Sequence, residues 1–428
     1  MHSSRRSEDE RAPDGNIAAD PSSDFAHTSK HPQGGHRMKK AIFLALATTV
    51  AAVAAAGAGA GSKAVQATQA INCKTGTIKI AFITPLTGDA GFLGQEQASW
   101  AKYAVKTIAP KMGLKVQLLL GDSQLDPALA QSLAQRYVAD RNIMAIIGPS
   151  TSGAVAATSK TFLDARLAHI SPSATRASLT KGATREATAA FFRVVPDDSI
   201  QGPSDARYMA DKLGVKKVVV VDSQEPYSVG LADAVQATLR TKNVTVQRES
   251  VSINTTDFST IVTKVPADAD FVFFGTQQPA KAQTFAQQLL EQGKKAKLFS
   301  GDGANNANQF KVPGSYVSNF AGPIDGIAAN KEIVDGWKKD NSGAELGSFG
   351  PPTYGAVHVA LGAIKAACTS KIGGIIDRSD VLRKVKGVKI KNWILGGDFK
   401  FSTKTNDPLN GNFVIFQIQS DGKYKVVS

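Results

Sequence analysis

The feature that most constrains this chain is an alternation of short apolar segments with amphipathic helical patterns, which occurs twice after residue 70. Short apolar runs that alternate with helices of about 10–15 residues indicate βαβ units and parallel sheets. The predicted strands are 78–84, 116–120, 143–147, 168–171, 217–222, 244–251, 271–275 and 297–300. The predicted helices are 95–108, 128–140, 154–164, 201–213, 231–241, 280–291, 331–339 and 353–368. Strand-like segments at 398–402 and 413–419 end the chain.

Two such series predict two lobes, because the 358 of 428 residues that follow position 70 exceed what one core usually serves. The first crossover between the lobes is predicted at 192–198, and the late elements must rejoin one of the two sheets. The fold class is therefore α/β, with two discontinuous doubly wound lobes. The predicted lobes are 71–193 with 324–398, and 194–323 with 399–428. Such folds bind ligands at the carboxyl ends of their strands.

The N-terminal region reads as an export signal. Residues 1–37 are polar and mixed in charge, and are interpreted as disordered or untranslated, with translation starting at Met38. Met38-Lys39-Lys40, an apolar stretch at 41–56 and small residues beyond it are typical of a secretory signal peptide, here 38–70. The apolar core is too short for a convincing membrane span, although an uncleaved anchor is the alternative. The predicted location is periplasmic.

Charge and cysteines restrict the partners. The chain has 50 Lys and Arg against 36 Asp and Glu, of which 8 and 6 lie in residues 1–70, so the remainder carries a net charge of +12. The lysines are scattered and no arginine-rich run is interleaved with aromatics, so nucleic acid is not expected. In an oxidising compartment Cys73 and Cys368 are able to form a disulfide, with two unpaired buried thiols as the alternative. Asn72 argues against lipid attachment to Cys73.

The stretch IIGPSTSG at 146–153 follows an apolar strand and opens a helix. Its spacing matches the start of a phosphate-binding loop, but the required Lys and Ser/Thr are replaced by Ala154-Val155. A hydrolase elbow requires Gly-x-Ser-x-Gly, and here Ser152 stands at the last position. His169 and His358 sit in strand and helix patterns, so each is interpreted as structural. No catalytic residue, metal site or cofactor is predicted.

What remains is an anion site. Free backbone N–H groups at the helix start and the hydroxyls of residues 150–152 suit a carboxylate, although at least one hydroxyl is expected simply to cap the helix. A second hydroxyl-bearing loop, ISPSAT at 170–175, ends the next strand. The carboxyl ends of neighbouring parallel strands meet at one sheet edge, so the two loops should lie together.

Several segments in order resemble one known family. They are IKIAFITPLTG (78–88), GDSQLDPALAQSLAQRYV (121–138), IIGPSTSG, ISPSATRASLT (170–180), FFRVVPDDSIQGP (191–203), DSQEPYSVGLADAVQ (222–236) and DFSTIVTKV (257–265). Together they are similar to the branched-chain amino-acid-binding proteins, the periplasmic substrate-binding components of ABC transporters with the type I fold. The resemblance spans 78–428 and is less specific for the ligand than for the family.

The resemblance implies a set of ligand contacts. Ser152 would donate to the amino acid's carboxylate, flanked by backbone groups of Ser173 and by the Thr175 hydroxyl. From the other lobe, Asp302 would pair with the α-ammonium and Tyr227 would close over the ligand. The resemblance also implies that Leu93 (or Phe92), where relatives have an aromatic residue, contacts the ligand's side chain. Gln277 is a further implied contact, and its polar side chain leaves open which ligand side chain is bound.

The resulting hypothesis is an exported, monomeric solute-binding protein that captures a small amino acid by lobe closure and delivers it to an ABC transporter permease in the inner membrane. The alternative is a sensor of amino acids or amides with the same fold, acting through a signalling partner. A serine hydrolase using Ser152 is a third and weaker hypothesis.

Overall fold

The computed structural model of the protein describes residues 70–183 and 185–428. The predicted polar segment 1–37 and the signal peptide 38–70, apart from Ala70, lie outside the described residues. Within the described ranges, no helix is both long and apolar enough to cross a membrane.

The strands agree with the predicted ones to within two residues and include several short additional pairs. They are β1 Ile71–Asn72, β2 Ile78–Thr84, β3 Val116–Asp122, β4 Ile143–Ile147, β5 Ala168–Ser171, β6 Phe191–Arg193, β7 Lys217–Asp222, β8 Thr245–Ser250, β9 Phe271–Gly275, β10 Lys297–Ser300, β11 Tyr316–Asn319, β12 Ile375–Ile376, β13 Lys389–Ile390, β14 Phe399–Lys400, β15 Val414–Ile418 and β16 Tyr424–Val426.

The helices begin earlier than predicted where a capping residue or a proline sets the first turn. They are α1 Gly91–Lys111, α2 Pro127–Ala139, α3 Ser152–Asp164, α4 Asp198–Arg207 with a π-helical turn Tyr208–Lys212, α5 Pro226–Thr241, α6 Ser259–Thr263, α7 Pro279–Glu291, α8 Lys331–Asp340, α9 Gly350–Ser370 and α10 Arg378–Val385. In α5, for example, the Glu225 carboxylate accepts from the Ser228 N–H at 2.7 Å and Pro226 occupies the first helical position.

Both lobes use the same strand order. The first sheet runs β3-β2-β4-β5-β6 and all its pairs are parallel. The second runs β8-β7-β9-β10-β11 in parallel, and β15 and β16 extend it by antiparallel pairing. In each lobe the first strand of the series lies between the second and the third, so the chain reverses direction across the sheet beside that strand. Ligand crevices form at such switch points.

Each sheet is covered by helices on both faces. In the first lobe α1 and α9 cover one face and α2 and α3 the other. In the second, α4 and α5 cover one face and α6 and α7 the other. This agrees with the nearly continuous apolar strands in the sequence, because a parallel sheet buried on both faces needs apolar residues at successive positions.

Three segments connect the lobes: residues 194–197, 320–323 and 402–413, named here crossings 1, 2 and 3. Crossing 1 is shorter than the predicted link at 192–198, because residues 191–193 pair with β5 as a strand. The lobe boundary predicted at 398/399 is too early, because β14 pairs with β13, and Phe399 and Phe401 pack in the core of the first lobe. Otherwise the predicted division into lobes stays a proposal.

A disulfide joins the first residues of the fold to its longest late helix. Cys73 follows β1 and bonds to Cys368 in α9, 295 positions later. Beside it, β1 pairs antiparallel with β12, and the Cys73 N–H donates to the Gly374 carbonyl at 2.9 Å. The bond thus closes a covalent loop that includes most of the chain.

Replacing both cysteines, as Cys73→Ser with Cys368→Ser, should lower the unfolding free energy by about 2–5 kcal/mol, because the unfolded chain loses its cross-link. Thermal unfolding followed by circular dichroism measures this as a lower melting temperature. A thiol reductant should lower the wild-type value to a similar degree and leave the double variant unchanged. A reductant effect on the double variant would contradict the disulfide as its cause.

Candidate ligand-binding site

Two loops of the first lobe meet at the carboxyl ends of β4 and β5, as expected from the sequence. They are loop A (148–151) and loop B (172–176). Ser171 joins them, because its hydroxyl donates to the Pro149 carbonyl at 2.7 Å and accepts the Ala174 N–H at 3.0 Å. The Ser173 hydroxyl donates to the Ser150 carbonyl at 2.7 Å. The Ser173 side chain thus holds the loops together, and the backbone contact with a ligand that the resemblance implies stays a prediction.

Ser152 is the first residue of α3 and is buried. Its hydroxyl oxygen accepts the Arg176 N–H from loop B at 3.2 Å, and its proton remains available for donation. Thr151, not Ser152, occupies the capping position, and its side chain makes no capping hydrogen bond. The helix start therefore presents backbone N–H groups that have no partner within the helix.

Gln97 of α1 organises both loops, and sequence reasoning missed it. Its side-chain oxygen accepts from Thr84 Oγ1 at 2.8 Å and from Ser150 Oγ at 2.6 Å. Its amide nitrogen donates to Ser173 Oγ at 2.9 Å. Fully buried, it connects the end of β2 with loops A and B. A glutamine inside an amphipathic helix carries no sequence signal of such a role.

On the facing lobe, Asp302 and Tyr227 form a pair. The Tyr227 hydroxyl donates to Asp302 Oδ1 at 2.8 Å and accepts the Gly303 N–H at 3.1 Å. Both side chains are buried. Burial raises the pKa of Asp302 to about 6, although hydrogen bonds from Tyr227 and Gln201 act to lower it. With this pKa the Asp302 carboxyl is mostly ionised at neutral pH, and a ligand cation would be a suitable partner for it.

One face of α4 adds a row of buried acceptors that sequence reasoning also missed. Asp198, Gln201 and Asp205 recur at helical spacing and are at most 1% exposed. Within the described part of the chain, both Asp198 carboxyl oxygens, Gln201 Oε1 and Asp205 Oδ1 lack a hydrogen-bond partner. The Thr175 hydroxyl of loop B makes no hydrogen bond of good geometry either, but a weak side-chain hydrogen bond from it to the Asp198 carboxyl acts to lower the pKa of Asp198. Unsatisfied buried polar atoms of this kind mark the place where a ligand or water binds.

Burial and the neighbouring carboxyl groups disfavour the charged forms of these acids. Burial, and next the Asp302 carboxyl, raise the pKa of Asp198 well above its ordinary value. Burial also raises the pKa of Asp205, with Asp302 and Asp198 contributing, against one hydrogen bond from Ser318 Oγ at 2.9 Å. The second lobe thus contributes several carboxyl groups to the cleft. None of the contacts named here pairs them with an ammonium group of the same lobe.

The remaining two predicted residues have different surroundings. Gln277 is buried in the loop after β9, and a weak side-chain hydrogen bond from it acts to lower the pKa of Glu225. Leu93 packs with Val195, Phe320 and Phe349 in an apolar cluster at crossings 1 and 2. The predicted ligand contacts of both residues stay predictions.

The lobes are closed on each other. Arg176 Nη1 of loop B donates to the Pro226 carbonyl at the start of α5 at 2.5 Å. Asp89 Oδ2 of the first lobe accepts from Gln278 Nε2 of the second at 3.0 Å. Gly153 in the first turn of α3 lies beside α5, since a Cβ there would make an ordinary van der Waals contact with Pro226 Cγ at 3.4 Å. The starts of α3 and α5 therefore meet across the cleft.

Neither histidine belongs to the site. His169 is fully buried between Phe162 and Phe191, and burial lowers its pKa to about 3. His358 lies in α9, and burial lowers its pKa as well. Among the described residues, no group of His, Cys, Asp and Glu is arranged to hold a metal ion.

Two doubly wound lobes closed over a polar cleft define a two-lobed solute-binding protein. A family model described as periplasmic binding protein matches residues 77–423. The Leu/Ile/Val-binding protein homolog 1 of Brucella abortus (strain 2308) is 28% identical over 356 residues, covering 80% of this chain and 91% of that protein. The Leu/Ile/Val-binding protein BraC3 of Rhizobium johnstonii is 30% identical over 300 residues, covering 68% and 79%.

The structure comparison agrees. A leucine-binding protein LivK from Thermotoga maritima superposes with a TM-score of 0.74 at 22% identity, covering 82% of this chain and 98% of that one. The chain therefore belongs to the periplasmic binding protein family with the type I fold, and the relatives named here are Leu/Ile/Val-binding proteins or their homologues.

The buried acid on α4 gives a test of the cleft electrostatics. Because the pKa of Asp205 is raised in the folded state, its burial is tolerated without penalty below the unfolded value of 3.8 and becomes destabilising as pH rises. Asp205→Asn should therefore gain stability over the wild type as pH increases from 4.5 to 8, by at most about 1.4 kcal/mol per pH unit.

Thermal melts at several pH values measure this difference. The matched control is Asp325→Asn, at an exposed carboxyl of the first lobe, which should follow the wild type at every pH. Parallel wild-type and Asp205→Asn profiles would show that Asp205 is ionised without penalty.

Proposed function

We propose that this chain is an exported solute-binding protein of an ABC importer, which binds a small amino acid, branched-chain or related, between its lobes and delivers it to a membrane permease. One observation carries the proposal. Buried polar groups of opposite kind belong to the two sides of the cleft, with the Ser152 and Thr175 hydroxyls on the first lobe and the Asp198 and Asp302 carboxyl groups on the second. An α-amino acid zwitterion has the complementary arrangement.

The first lobe supplies the carboxylate end. The start of α3 offers free N–H groups and the positive end of the helix dipole. The Ser152 hydroxyl, already accepting from Arg176, is oriented to donate its own proton to an anion. The Thr175 hydroxyl adds a donor beside it, and the backbone of Ser173 completes the set. A carboxylate that leaves water requires several such donors.

The second lobe supplies the ammonium end. An ammonium has three N–H donors and must be paired when buried. Asp302 has a pKa of about 6 and is therefore mostly ionised at neutral pH, and the Asp198 carboxyl lies close enough to it to interact electrostatically. Tyr227 fixes the Asp302 carboxylate through its hydroxyl, so that the acceptor is preorganised.

The ligand's side chain is expected to meet Tyr227, Gln277 and Leu93. The relatives named for leucine, isoleucine and valine support an aliphatic side chain. Gln277 introduces a polar group and supports inclusion of related, slightly more polar amino acids in the range of ligands. The same relatives lend no support to the sensor alternative.

Closure follows from contacts that exist only when the lobes meet. The hydrogen bonds from Arg176 to Pro226 and from Gln278 to Asp89 join residues of different lobes. A ligand that bridges both lobes adds free energy to that same state and shifts the population towards it. A permease that recognises the closed surface would then receive only loaded protein. The protein performs no chemistry on its ligand.

Calorimetric titration of the chain from residue 71 onward against all common amino acids, with aromatic acids and amides as comparison ligands, tests the proposal. Binding is expected for one or more aliphatic amino acids at one site per chain. If nothing carrying both an α-carboxylate and an α-ammonium binds, the proposed function is wrong.

Two substitutions separate the ends of the site. Thr175→Val removes a hydroxyl at constant volume, and should weaken amino-acid binding about 10–100-fold, because a hydrogen bond to a charged group contributes about 1.5–3 kcal/mol. Asp302→Asn should weaken it by at least as much, because the ammonium loses its ionised partner. Calorimetry gives both dissociation constants.

Thr158→Val is the matched control for Thr175→Val. Its hydroxyl is equally buried but donates at 2.8 Å to the Ala154 carbonyl within α3. The affinity of this variant should stay within about twofold of the wild type. An unchanged affinity in Asp302→Asn would remove Asp302 from the ammonium site while leaving the carboxylate assignment intact.

A further inference from the structure

Arg193 is a buried cation that the proposed ligand contacts do not use. It is the last residue of β6, immediately before crossing 1, and it is fully buried. A guanidinium has five N–H donors in a fixed planar fork. Here Nε, Nη1 and Nη2 donate to five different acceptors, so none is left unsatisfied.

Two of these donors hold loop B. Arg193 Nη1 donates to the Ala174 carbonyl at 3.0 Å and to the Arg176 carbonyl at 2.9 Å. Between them, the Thr175 carbonyl accepts the Asp198 N–H at 2.9 Å. Three successive carbonyls of loop B are therefore turned towards the hinge. Because a trans peptide points its N–H opposite to its carbonyl, the Thr175 N–H is directed away from Arg193.

The other three donors reach the hinge. Nε donates to Asp407 Oδ1 in crossing 3 at 2.6 Å. Nη2 donates to the Thr180 hydroxyl at 2.5 Å and to Asp197 Oδ2 at 3.3 Å. Asp197 caps α4, the first element of the second lobe. One side chain thus binds loop B and two of the three crossings at once.

We propose that Arg193 is a positioning residue for carboxylate recognition, which fixes the shape of loop B by bracing it against crossings 1 and 3. The inference rests on the proposed function, since it assigns Arg193 to the carboxylate half of that site. Arg193 touches no ligand in this assignment. It acts through the carbonyls of Ala174 and Arg176, whose orientation decides where the donors of loop B point.

The number and arrangement of acceptors around this side chain require arginine at position 193. Lysine would keep the positive charge beside Asp197 and Asp407, but its single nitrogen has three donors and no planar fork. It is therefore unable to hold both carbonyls of loop B while it pairs with both carboxylates. Arg193→Lys separates the loop-bracing role from simple neutralisation of buried acids.

The test compares two ligands, L-leucine and L-leucinamide, which differ only in the carboxylate. The wild-type protein should prefer leucine. In Arg193→Lys the affinity for leucine should fall at least tenfold and the ratio of the two affinities should shrink by a similar factor, measured by calorimetry. An equal loss for both ligands would overturn the proposal, because a purely structural defect does not discriminate between them.

Arg378→Lys is the matched control. Its guanidinium is also buried in the first lobe and donates to four backbone carbonyls, those of Tyr137, Val138, Asp140 and Ile143, away from the cleft. This variant should leave the ratio of leucine to leucinamide affinity unchanged. If Arg193→Lys fails to fold, Asp407→Asn serves as the second variant, because it weakens the same network from the crossing side and should shrink the ratio by a smaller factor.

Hydrogen exchange of the ligand-free protein keeps the inference distinct from the proposed function. In Arg193→Lys, amides of 174–177 and of 405–408 should lose protection together, whereas Arg378→Lys should leave both segments unchanged. Unaltered protection at 174–177 would overturn the bracing role. Wild-type protein that binds no amino acid would instead overturn the proposed function, whatever the exchange result.

Discussion

The direction of the parallel strands is the constraint on which the candidate site depends. All strands of the first sheet, and β7 to β11 of the second, run the same way within their sheet, so their carboxyl ends collect at one edge. The loops after β4 and β5 meet there on one lobe, and those after β9 and β10 on the other. Helix starts follow these loops, which adds free N–H groups at the same edge. Two such edges facing each other form a polar cleft between two apolar cores.

The two sides of this cleft are chemically unlike. The first lobe contributes hydroxyls and N–H groups on two loops, which are held by hydrogen bonds from Gln97 and Arg193. The second contributes Asp198, Asp205 and Asp302, whose burial keeps their pKa values raised. All three acids lie on the second lobe, so their mutual repulsion is present whether or not the lobes meet. Under the proposed function, a ligand ammonium that binds beside Asp302 relieves part of that repulsion.

Much of this arrangement could be predicted from the sequence, and the omissions have physical causes. The strands and helices were found because buried parallel strands and amphipathic helices carry strong periodic signals. Ser152 and Thr175 stood out as hydroxyls that follow apolar strands, while the role of Asp302 came from family resemblance. Gln97, Asp205 and Arg193 escaped notice because their roles arise from tertiary contacts, and a polar residue in a helix or at a strand end looks like a surface residue in sequence.

The pairing of Cys73 with Cys368 was one of two open alternatives, since spacing alone does not bring residues 295 positions apart together. Its presence has a consequence for the order in which the protein is assembled. The second lobe's parallel sheet is encoded without interruption from β7 to β11, whereas the core of the first needs α9. As the chain is synthesised from N- to C-terminus, the core of the first lobe is therefore completed only after α9 has been made. The Cys73–Cys368 disulfide forms at that late stage, when most of the chain is already present.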